Sequence, residues 1–305
     1  MTTENDFFML RSVAITDAIL TSSTVAEPAV TTDADPAAWN AATAYTAGDR
    51  AHRTSTHKIY QRVISGTTAT APESDTTNWV EAGPTNKWKM FDQANESQTT
   101  KADSIVVVLT PGQLADSITF ENVDADSIRV QVAGTSYDET QELKSRVVST
   151  WYEYFFKRFV YKTTALFTGL PLLLGNVITI TITKTGSTVK VGSCVLGVAE
   201  RIGITEAGAS AGIIDYSRKS TDTFGNTTVV ERAYSKRMNV RLLIDNVNVD
   251  EVQRLLAEYR ATPVVWIGTG NLYGALIVYG YYRSFEIVIA YPNHSLVNIE
   301  IEGLT

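Results

Sequence analysis

Four aromatic residues, Trp39, Tyr45, Tyr60 and Trp79, have the types and spacing for recognition chemistry, gathered in one short polar segment. Sugars present C–H faces that stack on aromatic rings, so a segment rich in Trp and Tyr is what a sugar-binding surface requires. The competing use of the same rings is a small core. Trp39 and Trp79 close the two ends of the segment and read mainly as structural. Tyr45 and Tyr60 suit either use, because tyrosine buries its ring and keeps its hydroxyl wet. Asp49, directly after Gly48, reads as a turn-former rather than a sugar ligand.

One catalytic pattern is present. Gly208-Ala209-Ser210-Ala211-Gly212 matches G-x-S-x-G. That chemistry needs Ser210 on a tight turn between a buried strand and a helix, with an acid and a histidine following in chain order. Ile202 to Ala207 makes a poor parallel strand, and Ile213 to Ser217 is not helical. His294, the only later histidine, sits in an apparent turn beside Pro292-Asn293, so the match reads as compositional. His52, His57, His294 and Cys194 lack metal-ligand spacing, and neither metal nor cofactor is expected. Asp124 with Asp126 and Asp138 with Glu139 read as solvated turn acids, whereas a glycosidase needs two acids facing one cleft. Gly268 to Gly274 misses the G-x-G-x-x-G spacing and reads as a hairpin loop.

At 305 residues the chain exceeds the usual single-domain size, and two or three domains are expected. A net charge of -7, with no basic cluster beyond Lys157-Arg158 and Arg218-Lys219, argues against a nucleic-acid partner. The N-terminus is acidic where a secretory signal is basic. The most apolar stretch, Trp151 to Leu174, is interrupted by Glu153, Lys157, Arg158 and Lys162, so no membrane insertion is expected. A single cysteine excludes an internal disulfide, and synthesis in a cytoplasm is expected.

The elements that must position these residues are mainly β. The many Gly, Thr, Val and Ile favour strands and turns. Residues 1–35 read as N-terminal strands and a linker that runs into the turn-forming Thr31 to Pro36. Residues 36–84 form the small aromatic module. Residues 85–205 read as a jelly-roll-like β-sandwich, with strands at Ser104 to Leu109, Ser117 to Glu121 and Ser127 to Val132. Within it, Trp151 to Tyr161 predicts a strand covered on both faces, and Val177 to Thr183 turns back at Lys184 to Ser187 into Thr188 to Val191. Residues 206–305 form an α+β module, with one helix over an antiparallel sheet. That helix starts at Asn248, places Val252, Leu255, Leu256 and Tyr259 on one face, and ends by Pro263. Its sheet comprises Val264 to Ile267, Ala275 to Tyr282, Phe285 to Ala290 and Leu296 to Ile301.

The order Trp39, Tyr45, Gly48-Asp49, Tyr60, Pro72, Trp79 resembles the small chitin-binding modules of carbohydrate-binding families 5 and 12. It departs from their pattern at Arg50-Ala51-His52 and Thr56-His57-Lys58-Ile59. The junction Gly83-Pro84-Thr85-Asn86-Lys87-Trp88-Lys89-Met90-Phe91-Asp92 is similar to segments of tail-tip and baseplate proteins of tailed bacteriophages, as are Gly212 to Ser217 and Thr223 to Asn226. In those proteins a chitin-binding-like module precedes a jelly-roll domain. The resemblance implies a non-enzymatic virion structural protein at the distal end of the tail. It would be a homo-oligomer that meets other tail, baseplate and fibre proteins, with a cell-surface glycan as the ligand of Trp39, Tyr45, Tyr60 and Trp79. The alternatives are a polysaccharide-directed hydrolase or accessory targeted by the aromatic module, and a bare adhesin.

Overall fold

Alternating Val, Ile and Thr side chains place one apolar row per strand face, and the chain pairs those rows into antiparallel sheets almost throughout. The computed structural model describes residues 5–30, 34–145, 149–269 and 273–304. Residues 31–33 of the expected linker and 270–272 of the expected hairpin loop lie outside the described residues. The chain is mainly β and forms two compact units. One gathers the N-terminal residues through Val13, Leu114–Thr119 and Val195 onward; the other gathers Ala14–Gln113 and Phe120–Cys194. The long strand Ile178–Thr205 gives its N-terminal portion to the second unit and its C-terminal portion to the first.

In the first unit six strands close on themselves. Asp6–Ser12 pairs with the end of Ile178–Thr205 on one side and with Val264–Ile267 on the other. Val264–Ile267 pairs with Ile277–Val288, which pairs with His294–Gly303, which pairs with Tyr234–Asp245. The ring closes where Leu243 and Leu242 meet Ile204 and Thr205. Every step is antiparallel, and closure leaves these strands no shared open edge. The N-terminal strand is therefore a member of the C-terminal sheet, because it supplies the pairing that joins two of its strands. Phe7, Met9, Met238, Leu242, Trp266, Val278 and Ile301 fill the interior. The Val249–Glu258 helix adds Val252 and Leu256 to that core. It starts after Asn248, as expected, with Asp250 and Glu251 in its first turn, where the helix dipole favours acids. The two strands expected at 275–290 are one, Ile277–Val288, with a register irregularity between Tyr282 and Ser284.

In the second unit the N-terminal portion of Ile178–Thr205 lies between Thr99–Leu109 and Ser127–Val132. Leu20–Ser23 and Asp138–Glu142 extend that sheet on either side. Ile105, Val107 and Leu109, Ile128 and Val130, and Ile178, Ile180 and Ile182 are buried at every second position. Phe120 meets Phe167 edge-on at 6.0 Å.

Two expectations are corrected here. Lys184 to Ser187 does not reverse the chain, since pairing continues in the same sense from Thr183 with Ser104 to Thr188 with Ala102. The turn-forming residues make a bulge instead, with Gly186 at φ +72° donating its N–H to Asp103 Oδ1 at 2.9 Å. Trp151 to Tyr161 is not a covered strand either. Trp151–Phe156 is a helix with no buried residue, and only Val160–Tyr161 is extended, paired with Lys144–Ser145. Local capping wins there: Thr150 Oγ1 accepts from the Glu153 N–H at 3.2 Å, and Glu153 accepts from the Ser149 N–H at 2.7 Å.

Candidate functional site

The aromatic segment folds around a three-stranded antiparallel sheet, Arg50–Arg53, Lys58–Arg62 and Trp79–Pro84. Gly48 enters it at φ +97°, and Asp49 Oδ2 accepts from the Thr46 N–H at 2.7 Å. That backbone hydrogen bond holds the Asp49 carboxyl below its usual range, which fits the expected turn-forming role.

All four singled-out rings come together. Tyr60 and Trp79 are 6% and 2% exposed and form the core with Ala51, while Trp39 and Tyr45 pack against it half-buried. Tyr45 meets Trp79 edge-on at 5.0 Å. Tyr45 Oη accepts from the Asn40 N–H at 2.9 Å, and the Tyr60 hydroxyl donates to Thr56 Oγ1 at 3.2 Å. Guanidinium groups cover two faces: Arg53 lies 5.1 Å from the Trp39 ring and Arg62 5.1 Å from the Trp79 ring. Arg62 is itself buried and donates to the Ile64 carbonyl. These rings chiefly hold the module together.

A groove opens beside the core. Its volume is about 420 Å³, lined by Tyr60, Trp79 and Pro72 together with Thr56, Thr76, Lys58, Glu73 and Glu81. Lys58 Nζ donates to Glu81 at 2.7 Å, and Arg53 grips Glu73 through two hydrogen bonds of 2.8 and 3.1 Å. Burial works to raise the Glu73 carboxyl, but the Arg53 hydrogen bond, a backbone hydrogen bond and the Arg53 charge together outweigh it, leaving Glu73 below the usual range. Apolar ring edges among a few fixed polar groups are what a small polyhydroxylated ligand needs. The sequence singled out the rings but not Lys58, Glu73 or Glu81. The usable signal was opposite charge at Lys58 and Glu81 on neighbouring strands.

The two module histidines are structural. His52 is 2% exposed, with Nδ1 2.7 Å from the Pro36 carbonyl oxygen. His57 faces Glu27 and Asp17, a pairing across distant residues that its loop position did not reveal.

Ser210 opens an exposed strand, Ser210–Asp215, opposite Asn239. His294 lies opposite Asp245 on the same Tyr234–Asp245 strand, with Nδ1 3.1 Å from Asp245 Oδ1. Asn239 and Asp245 are separated by about 20 Å at the usual strand rise. Serine and imidazole are thus not brought together. A wider concavity of about 660 Å³ on this unit is lined by Ser210, Asn239, Arg241, Glu286, Asn298 and Glu300 together with Val240, Phe285 and Ile299. Three of the four paired acids are held in ion pairs, Asp124 with Lys184 at 2.5 Å, Asp126 with Lys144 at 3.6 Å and Asp138 with Arg129 at 2.5 Å, while Glu139 accepts from the Tyr137 hydroxyl at 3.0 Å. Burial pushes the Cys194 thiol far up, so it is an inert core residue. Among the described residues no three His, Cys, Asp or Glu side chains are grouped to hold a metal.

No protein-family model matches this chain, and no curated protein matches it.

Proposed function

We propose that this chain is a structural component of a bacteriophage tail tip or baseplate, assembling with copies of itself and with neighbouring tail and fibre proteins. The observation that carries this reading is a two-stranded ribbon, Arg218–Thr221 paired with Thr227–Val230, in which every residue is exposed. Its turn is tied by Asp222, which accepts from the Phe224 and Asn226 N–H groups at 2.9 and 2.8 Å. A lone hairpin is marginal in water and gains stability when a partner covers it. Val229, Val230 and the 89%-exposed Phe224 supply apolar surface for that contact. The adjacent exposed strand Ser210–Asp215, with Ile213 turned to solvent, offers a second surface for pairing.

In this reading the second unit's sheet, built on Thr99–Leu109, Ser127–Val132 and the first part of Ile178–Thr205, is the jelly-roll-like body that carries the module. The groove beside Tyr60 and Trp79 is a weak glycan surface near the host, and the protein breaks no bond. The deciding measurement is electron microscopy of intact particles carrying this chain. Density for it in a ring at the tail tip, with the 218–230 ribbon against a neighbour, supports the reading. Its absence from the tail, with a purified chain that stays monomeric and binds no tail protein, overturns it.

A further inference from the structure

The Trp151–Phe156 helix is the most apolar exposed element among the described residues. Trp151, Tyr152, Phe155 and Phe156 are 78%, 72%, 68% and 69% exposed, and none of the six residues is buried. At about 100° per residue these four rings cover an arc of about 140°, and Tyr154 widens it to about 200°. More than a third of the circumference is therefore apolar and turned to solvent, with the half-exposed Tyr154 beside it. The rings that meet within it are neighbours on the same turn, such as Tyr152 and Phe156 at 4.8 Å.

Charge decides what this surface fits. The chain as a whole is acidic, at -7, yet the segment from Trp151 to Lys162 carries Lys157, Arg158 and Lys162 against the single acid Glu153. Glu153 is already engaged by the Ser149 N–H and by Lys157 at 3.5 Å. The three cations are exposed, Lys157 and Arg158 directly after the aromatic turn and Lys162 just past the Val160–Tyr161 strand. A flat protein partner buries one stripe of a helix, whereas a surrounding medium is needed to cover an arc this wide. Trp, Tyr and Phe above a basic collar match the apolar edge and anionic headgroups of a lipid surface.

We infer that the Trp151–Phe156 turn is a membrane-surface anchor, which seats its rings at the acyl–headgroup boundary while Lys157, Arg158 and Lys162 meet anionic lipid. No helix among the described residues is long and apolar enough to cross a membrane, so the anchor lies in the interface and does not span it. The inference does not rest on the tail reading, since it uses only this turn and its charges.

The test is flotation of the intact chain with phosphatidylcholine vesicles with and without phosphatidylglycerol, read with tryptophan emission. Trp39, Trp79, Trp88 and Trp266 are half-buried or buried, so a blue shift on binding reports Trp151. The expected result is binding to the anionic vesicles that weakens with salt. Trp151→Ala with Phe155→Ala lowers partitioning by about tenfold or more, from the lost apolar burial. Lys157→Gln with Arg158→Gln removes the preference for anionic lipid. Val247→Ala, an exposed apolar side chain elsewhere in the chain, leaves vesicle binding unchanged, and all variants keep the parent melting temperature. The inference is overturned if neither vesicle shifts the emission. It is equally overturned if the aromatic variants abolish self-association in sedimentation while leaving vesicles unbound, which would assign the turn to a second copy of this chain.

Discussion

His57 lies flat against Trp88, ring centroids 4.2 Å apart, and each ring aims a nitrogen at the same buried carboxylate, Glu27. Glu27 also accepts from Thr85 Oγ1 at 2.8 Å, while the other His57 nitrogen faces Asp17 at 2.8 Å. Five residues far apart in sequence thus share one knot beneath the module. Glu27→Ala strips the acceptor from two buried donors, Thr85 and Trp88, and the expected loss is about 3 kcal/mol. Glu27→Gln keeps one acceptor oxygen and recovers some of it. Urea unfolding measures both, and an unmoved midpoint for the alanine variant would show that the knot holds nothing.

Trp79 separates packing from binding in the module. It is 2% exposed, edge-on to Tyr45 and covered by Arg62, so Trp79→Ala is expected to cost about 3–5 kcal/mol. Limited trypsinolysis then cuts near Arg50, Arg53 and Arg62 under conditions the parent resists. Lys58→Ala and Glu73→Gln remove only partly exposed ion pairs and are expected to cost less than about 1 kcal/mol. Retention on a chitin oligosaccharide column is expected to fall for both. Retention that survives both changes would place any sugar outside this groove.

The features legible in the sequence were those encoded within a few residues. Val177 to Thr183 alternates with period two and is a strand, and Asn248 marks the start of the helix as read. The clustering of Trp39, Tyr45, Tyr60 and Trp79 followed from how few other apolar residues the module owns. What was hidden is non-local. Asp6–Ser12 reads as a strand, but nothing nearby says that it bridges Val264–Ile267 and the end of Ile178–Thr205, where Asp6 meets Arg201 at 2.8 Å. The Trp151 turn was misread because aromatic alternation outweighed a local cue, the Thr150-x-x-Glu153 capping pattern. Lys184 to Ser187 has the composition of a reversal, and only the partner strand turns it into a bulge.

Asp92 gives a pH dependence with a definite sign. Burial pushes its carboxyl above the usual range, against hydrogen bonds from Ser97 Oγ and the Ala94 N–H that favour the charge. Between the ordinary carboxyl range and the raised value, the unfolded chain has released its proton and the folded chain has not. Stability therefore falls as pH rises through that window and stays lower above it. Asp92→Asn removes the effect. The variant is expected to match the parent near about pH 3 and exceed it at about pH 7, by under about 1 kcal/mol because the group is partly exposed. A variant less stable than the parent at neutral pH would mean that the two hydrogen bonds outweigh burial.

Closure of the six-strand ring depends on how closely Ile277–Val288 approaches its neighbours. A Cβ on Gly280 would lie 2.1 Å from the Glu302 carbonyl oxygen and 2.6 Å from Gly303 Cα, both backbone atoms that cannot swing aside. Gly280 also pairs with Val264, and its carbonyl accepts from the buried Trp266 Nε1 at 3.1 Å. Gly280→Ala must therefore push neighbouring strands apart and disturb the tryptophan bonded to this position, for a loss of about 3 kcal/mol or more. Gly212 supplies the contrast: it lies on the exposed Ser210–Asp215 strand with nothing within 4 Å of its added Cβ, so Gly212→Ala is expected to stay within about 0.5 kcal/mol of the parent. Thermal melts of the two variants side by side test the ring directly, because only one substitution touches its pairing. Equal melting temperatures would mean that these strands lie farther from each other in solution than the ring requires.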